Sequence, residues 1–72
     1  MNEVQIEKKV FVDSYLAPLL VFATDGEIRF AKYLVSGADE RVEIRFANGY
    51  TKAVNVTLDS LPALARDVLK HV

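Results

Sequence analysis

The side chains best suited to chemistry in this chain are its cations. Arg29, Arg41 and Arg45 recur with Tyr33 on two stretches of alternating polar and apolar residues, Glu27 to Val35 and Arg41 to Ala47. Alternation at period two sends successive side chains to opposite faces of a strand, which places these four residues on one sheet face together with Glu43. Arginine and tyrosine are enriched in protein interfaces, so the chemistry predicted for this face is contact with a protein partner or a second copy of the chain. Lys8, Lys32 and Lys52 form a second set. In the same register they interrupt the apolar face near mid-strand, and Lys32 and Lys52 flank Ile44. Such a cationic spot could hold a phosphate or a carboxylate. The competing role for each lysine is to run its stem along apolar surface and keep its ammonium group in water.

Residues that carry catalysis are sparse. There is one histidine, His71, next to the last residue, and no cysteine. His71 suits the negative pole of a helix better than a catalytic centre, and no nucleophile stands beside an orienting base. Asp25, Glu27, Asp39 and Glu40 lie in turn-forming stretches whose polarity accounts for them without a metal. The three glycines fall in three separate turns and make no phosphate-cradling loop. The reading is a protein that is not an enzyme and uses no cofactor or metal.

Seventy-two residues make one small domain, 1–72, with a net stability of roughly 3–5 kcal/mol when no disulfide or metal reinforces it. Fifty-one per cent of the residues are hydrophobic, more than so small a chain can bury, and homodimerisation would cover the excess. Nine basic and ten acidic residues leave a net charge of −1, so no global field draws the molecule to nucleic acid or to an anionic membrane. The first residues lack the apolar core of a secretion signal and no run approaches membrane-spanning length, so a cytoplasmic location is expected. The size and the dearth of catalytic groups fit a regulator or inhibitor encoded by a phage or other mobile element.

The elements that would position these residues follow from pattern. Val4, Ile6, Val10 and Val12 alternate with polar residues and predict a first strand, and the continuous run Leu19 to Ala23 predicts a second, covered on both faces. Asp25-Gly26 predicts a hairpin into a third strand over 27–35. Arg41 to Ala47 alternates cleanly, and Asn48-Gly49 announces the turn into a fifth strand, Tyr50 to Val56. A three-residue loop with Gly49 left-handed keeps one apolar face, because it pairs Phe46 with Tyr50 and Val42 with Val54. Leu61, Leu64, Ala65, Val68, Leu69 and Val72 recur at helical spacing, predicting an amphipathic helix over about 59–71 capped by Asp59 or Ser60. The expected fold class is α+β: an antiparallel meander of about five strands, one face covered by a C-terminal helix.

Strands followed by one C-terminal helix, with Arg29, Arg41, Arg45 and Tyr33 on the open face, give an element order that resembles the PC4-like family of single-stranded DNA-binding proteins. The resemblance implies dimers and an alternative function, binding of single-stranded nucleic acid by phosphate contacts and stacking on that face.

Overall fold

The computed structural model describes all residues 1–72 and corrects the expected architecture. Three antiparallel strands replace five, and helices stand at both ends of the chain. The order is α1 (Glu3–Phe11), a π turn (Val12–Leu16), α2 (Ala17–Ala23), β1 (Ile28–Ser36), β2 (Asp39–Phe46), β3 (Thr51–Asn55) and α3 (Leu61–Leu69). The strands form one sheet in the order β1-β2-β3.

The two expected N-terminal strands are one helical element, for reasons that are local. Asn2 and Gln5 form a capping box: the Gln5 amide N–H donates to Asn2 Oδ1 at 2.8 Å and the Asn2 N–H donates to Gln5 Oε1 at 3.0 Å. Pro18 lacks the N–H a helix interior needs, and its ring would strike the carbonyl one turn back. The π turn lies immediately before it, and that wider turn makes the room. The π turn also sets which face is buried. Lys8, Val12, Leu16 and Leu20, four residues apart, are all buried, whereas in a regular helix each such step drifts by about 40°.

Asp25-Gly26 ends this helix instead of turning a hairpin. Both residues are left-handed, and the Gly26 N–H donates to the Val21 carbonyl at 2.9 Å, closing the C-terminus in the manner of a Schellman motif. The Thr24 hydroxyl donates to the Leu20 carbonyl at 2.7 Å and accepts from the Ile28 N–H at 3.0 Å, joining helix to β1.

The second half follows its pattern. Val42 pairs with Val54, the Phe46 N–H donates to the Tyr50 carbonyl at 2.8 Å, and Gly49 has φ +88°. The three-residue loop is therefore the one that apolar matching requires. Ser60 caps α3 by accepting from the Ala63 N–H at 3.3 Å, and Leu64 and Val68 are sealed in the core.

A bulge in β1 decides which side chains face outward. Ile28 pairs with Phe46 but Phe30 pairs with Arg45, so Arg29 is an inserted residue. Beyond it the faces exchange: Ala31, Tyr33 and Val35 turn inward, and Phe30, Lys32 and Leu34 turn outward. Both helical elements pack on the inward face, in one core containing Val12, Leu16, Leu20, Ala31, Tyr33, Val42, Ile44, Leu64 and Val68.

Leu58, between β3 and α3, has φ +74° and is 95% exposed. A left-handed β-carbon costs about 1–2 kcal/mol, and glycine gives back roughly 0.5–1 kcal/mol of that in unfolded-chain entropy. Leu58→Gly is therefore expected to raise unfolding stability in urea by about 0.5–1 kcal/mol. A loss of stability instead would mean that this side chain is covered in solution.

Candidate functional site

Three features could carry function: a buried polar network, the open sheet face, and the outer side of the N-terminal helix. The first was not legible in the sequence. Lys8 and Glu40 are both buried, and Lys8 Nζ donates to Glu40 Oε1 at 2.8 Å and to the Val56 carbonyl at 3.0 Å. The Tyr33 hydroxyl donates to the same carboxylate oxygen. Thr57 fixes the backbone of Glu40, its hydroxyl accepting from the Glu40 N–H at 2.8 Å. Burial by itself would push the Glu40 carboxyl up, but the hydrogen bonds from Lys8 and Tyr33 and the charge of Lys8 outweigh it and hold it below its ordinary value. Tyr33 is pushed well up, by burial first and then by its bond to Glu40. The network uses its donors on itself and on the main chain, which is how a buried ion pair becomes tolerable.

A second carboxyl pair lies beside α3. Asp59 is raised, first by burial and then by its hydrogen bond with Asp67, while that same bond lowers Asp67. The buried Asp59 Oδ2 has no hydrogen-bond partner.

The open sheet face is a three-by-three array read across the strands: Phe30, Arg45 and Thr51, then Lys32, Glu43 and Ala53, then Leu34, Arg41 and Asn55. Phe30, Leu34 and Glu43 are half-buried and the other six are exposed. The Arg45 guanidinium lies 5.2 Å and the Lys32 ammonium 6.0 Å from the centre of the Phe30 ring, distances at which the ring quadrupole holds cations. Of the residues expected on this face, Arg41 and Arg45 are there, Arg29 is exposed at the bulge, and Tyr33 lies inside. Phe30 takes the aromatic position because the bulge shifts the alternation by one.

The lysine set is not brought together. Lys8 is in the buried network and Lys32 is on the open face. Lys52 stays on the inner side, with its ammonium donating to the His71 carbonyl at 3.3 Å and lying 5.9 Å from the Phe46 ring centre. His71 Nδ1 is 2.9 Å from the Asp67 carbonyl oxygen, at the end of α3.

The third feature is apolar. Seven of the eleven large hydrophobic residues that are exposed lie in 1–23, among them Tyr15, Leu19 and Phe22. With Phe11, these recur at i, i+4, i+8 and i+11 along the helix, and the Phe11 and Tyr15 rings are 6.4 Å apart.

Comparison with known proteins gives no match to any family model, curated protein or solved structure. The leading helix also removes the element order on which the resemblance to the PC4-like family rested. No helix is long and apolar enough to cross a membrane.

Proposed function

We propose that this chain is a small non-enzymatic interaction module of the cytoplasm whose open sheet face recognises an acidic, partly apolar surface of a protein partner. One observation carries the reading: the distribution of the nine basic residues. Lys8, Lys9, Arg66 and Lys70 lie within ion-pair distance of carboxylates, and Lys52 donates to a carbonyl. The four cations left without a carboxylate are Arg29, Lys32, Arg41 and Arg45, three of them on the open face and the fourth at the bulge beside it. The net charge of −1 conceals this segregation.

A protein partner suits the face better than a nucleic acid because of what stands among the cations. Glu43 occupies the centre of the array and would repel a continuous phosphate chain, yet it can accept hydrogen bonds from a partner's side chains. Phe30 and Leu34 offer apolar contact, and Thr51 and Asn55 offer neutral hydrogen-bonding groups. The Lys8–Glu40–Tyr33 network is enclosed in the core and is a structural element in this reading.

Fluorescence anisotropy with two labelled probes tests it, an acidic peptide alternating Glu or Asp with Leu or Phe, and a sixteen-residue oligothymidylate. The peptide should bind, and Arg45→Glu and Arg41→Glu should each weaken it at least tenfold while leaving the fold intact. If instead the oligonucleotide binds, with affinity falling about twentyfold from 50 to 200 mM salt as three phosphate contacts to a single strand require, the nucleic-acid reading replaces this one. Binding of neither probe at low salt leaves the face as ordinary solvated surface.

A further inference from the structure

We infer that two copies of this chain pair through the outer side of the N-terminal helix, around Tyr15, Leu19 and Phe22, and not through the open sheet face. The inference stands apart from the partner proposed for that face.

In a two-fold contact a surface meets itself, so a patch rich in one sign meets its like. Lys32, Arg41 and Arg45 against the single carboxylate of Glu43 give the sheet face an excess of two positive charges, which disfavours self-association there. The helix patch has no such penalty. From Ser14 to Thr24 the chain carries no ionisable group except the Tyr15 phenol, and the exposed members of that stretch include Tyr15, Pro18, Leu19, Phe22 and Ala23. A charged partner would find nothing to pair with on this surface, whereas a second copy finds an equally uncharged one.

Area agrees. Tyr15 is 66%, Leu19 59% and Phe22 87% exposed. At about 150–250 Å² for each aromatic side chain and somewhat less for leucine, the three alone offer on the order of 400 Å² per copy, about half of what one partner contributes to a standard interface. Pro18, Ala23 and the half-buried Phe11 extend the same stripe. An antiparallel arrangement of the two helices would set Phe11 near the partner copy's Phe22 and Tyr15 near its Leu19, because the spacing of 11, 15, 19 and 22 is nearly symmetric about its centre.

The pattern that builds the fold supports the assignment. The buried side of this element is already complete with Lys8, Val12, Leu16 and Leu20. The outer stripe is therefore surplus to the intramolecular core, and a small domain with so few buried side chains gains stability by covering it.

Sedimentation equilibrium of the full chain tests the proposal. The wild type should sediment at twice the 8.1 kDa chain mass at micromolar to millimolar concentration. Phe22→Glu and Leu19→Glu should each return it to a single chain mass, with far-UV circular dichroism unchanged because both side chains are mostly in water in the single chain. Arg45→Glu, on the sheet face, should remain dimeric. A wild type that stays monomeric at 1 mM overturns the inference, as does a dimer that survives both helix substitutions or is broken by Arg45→Glu. Loss of peptide binding with an intact dimer, or the reverse, separates the failure of one proposal from the failure of the other.

Discussion

Lys8→Met is expected to unfold the domain. The substitution removes the ammonium group that donates to Glu40 and to the Val56 carbonyl, and leaves a carboxylate in a site where it is 8% exposed. Breaking a buried ion pair from one side costs about 3–5 kcal/mol, because the remaining charge keeps its desolvation penalty and loses its partner. That equals the whole stability of roughly 3–5 kcal/mol expected for an unreinforced chain of this size. Far-UV circular dichroism at 25 °C should show loss of cooperative structure. The double variant Lys8→Met, Glu40→Gln should recover a folded state, since an amide carries no charge and can still accept from the Tyr33 hydroxyl. A single Lys8→Met variant whose stability stays within about 0.5 kcal/mol of wild type would mean that the pair is open to water.

The same network sets the pH range of stability. Glu40 is held below its ordinary 4.5, so its contribution is present above that pH and is lost as the pH falls through the folded value. Tyr33 is raised above its ordinary 10.0, so its contribution is complete below pH 10 and is lost as the pH rises further. On the acid side Asp67, lowered, adds to the loss, while Asp59, raised, opposes it. Melting temperature against pH should therefore form a plateau that falls on both flanks. Glu40→Gln in the double variant should flatten the acid flank.

The second large effect is at the C-terminal helix. Leu64→Ala is expected to cost about 2–5 kcal/mol, since Leu64 is fully buried and its removal leaves a cavity in the core of which Val42, Ile44, Val54 and Val56 are also members. Leu69→Ala, five residues on in the same stripe, should change stability by no more than about 0.5 kcal/mol because Leu69 is 53% exposed. Urea unfolding of the two variants distinguishes them. Equal losses would place Leu69 in an interface that the single chain does not contain.

The contrast between Leu64 and Leu69 marks how far periodicity reaches. Spacing identified the α3 stripe and narrowed its cap to Asp59 or Ser60, but how wide a stripe the sheet covers depends on the sheet, here only three strands. The β2–β3 hairpin was legible for a related reason. Clean alternation and Asn48-Gly49 agree with each other, and a one-residue slip would expose every apolar residue on that face. Within the candidate site the same logic placed Arg41 and Arg45 outward correctly.

The N-terminal third was read with the wrong period. Val4, Ile6, Val10 and Val12 alternate well enough to suggest a strand, yet the buried set is Lys8, Val12, Leu16 and Leu20 at steps of four, and of these only Leu16 lies outside the two expected strands. The Asn2–Gln5 capping pair was the available signal for a helix, and Asp25-Gly26 serves a helix C-terminus as readily as a hairpin.

Strand and helix periods, turn residues and caps are properties of a few neighbouring residues, and this sequence determined them wherever they agreed: the β2–β3 hairpin with its three-residue loop, and α3 with its cap narrowed to Asp59 or Ser60. Tertiary structure alone decided the rest. A π turn cannot be seen without the helix around it, and it is what carries Lys8 into the core to meet Glu40 across 32 positions of chain. The bulge at Arg29 is likewise a property of pairing, one residue of β1 with no partner on β2. That single inserted residue buries Tyr33 and turns Phe30 out between Lys32 and Arg45, because in a strand every later side chain changes face when one is added.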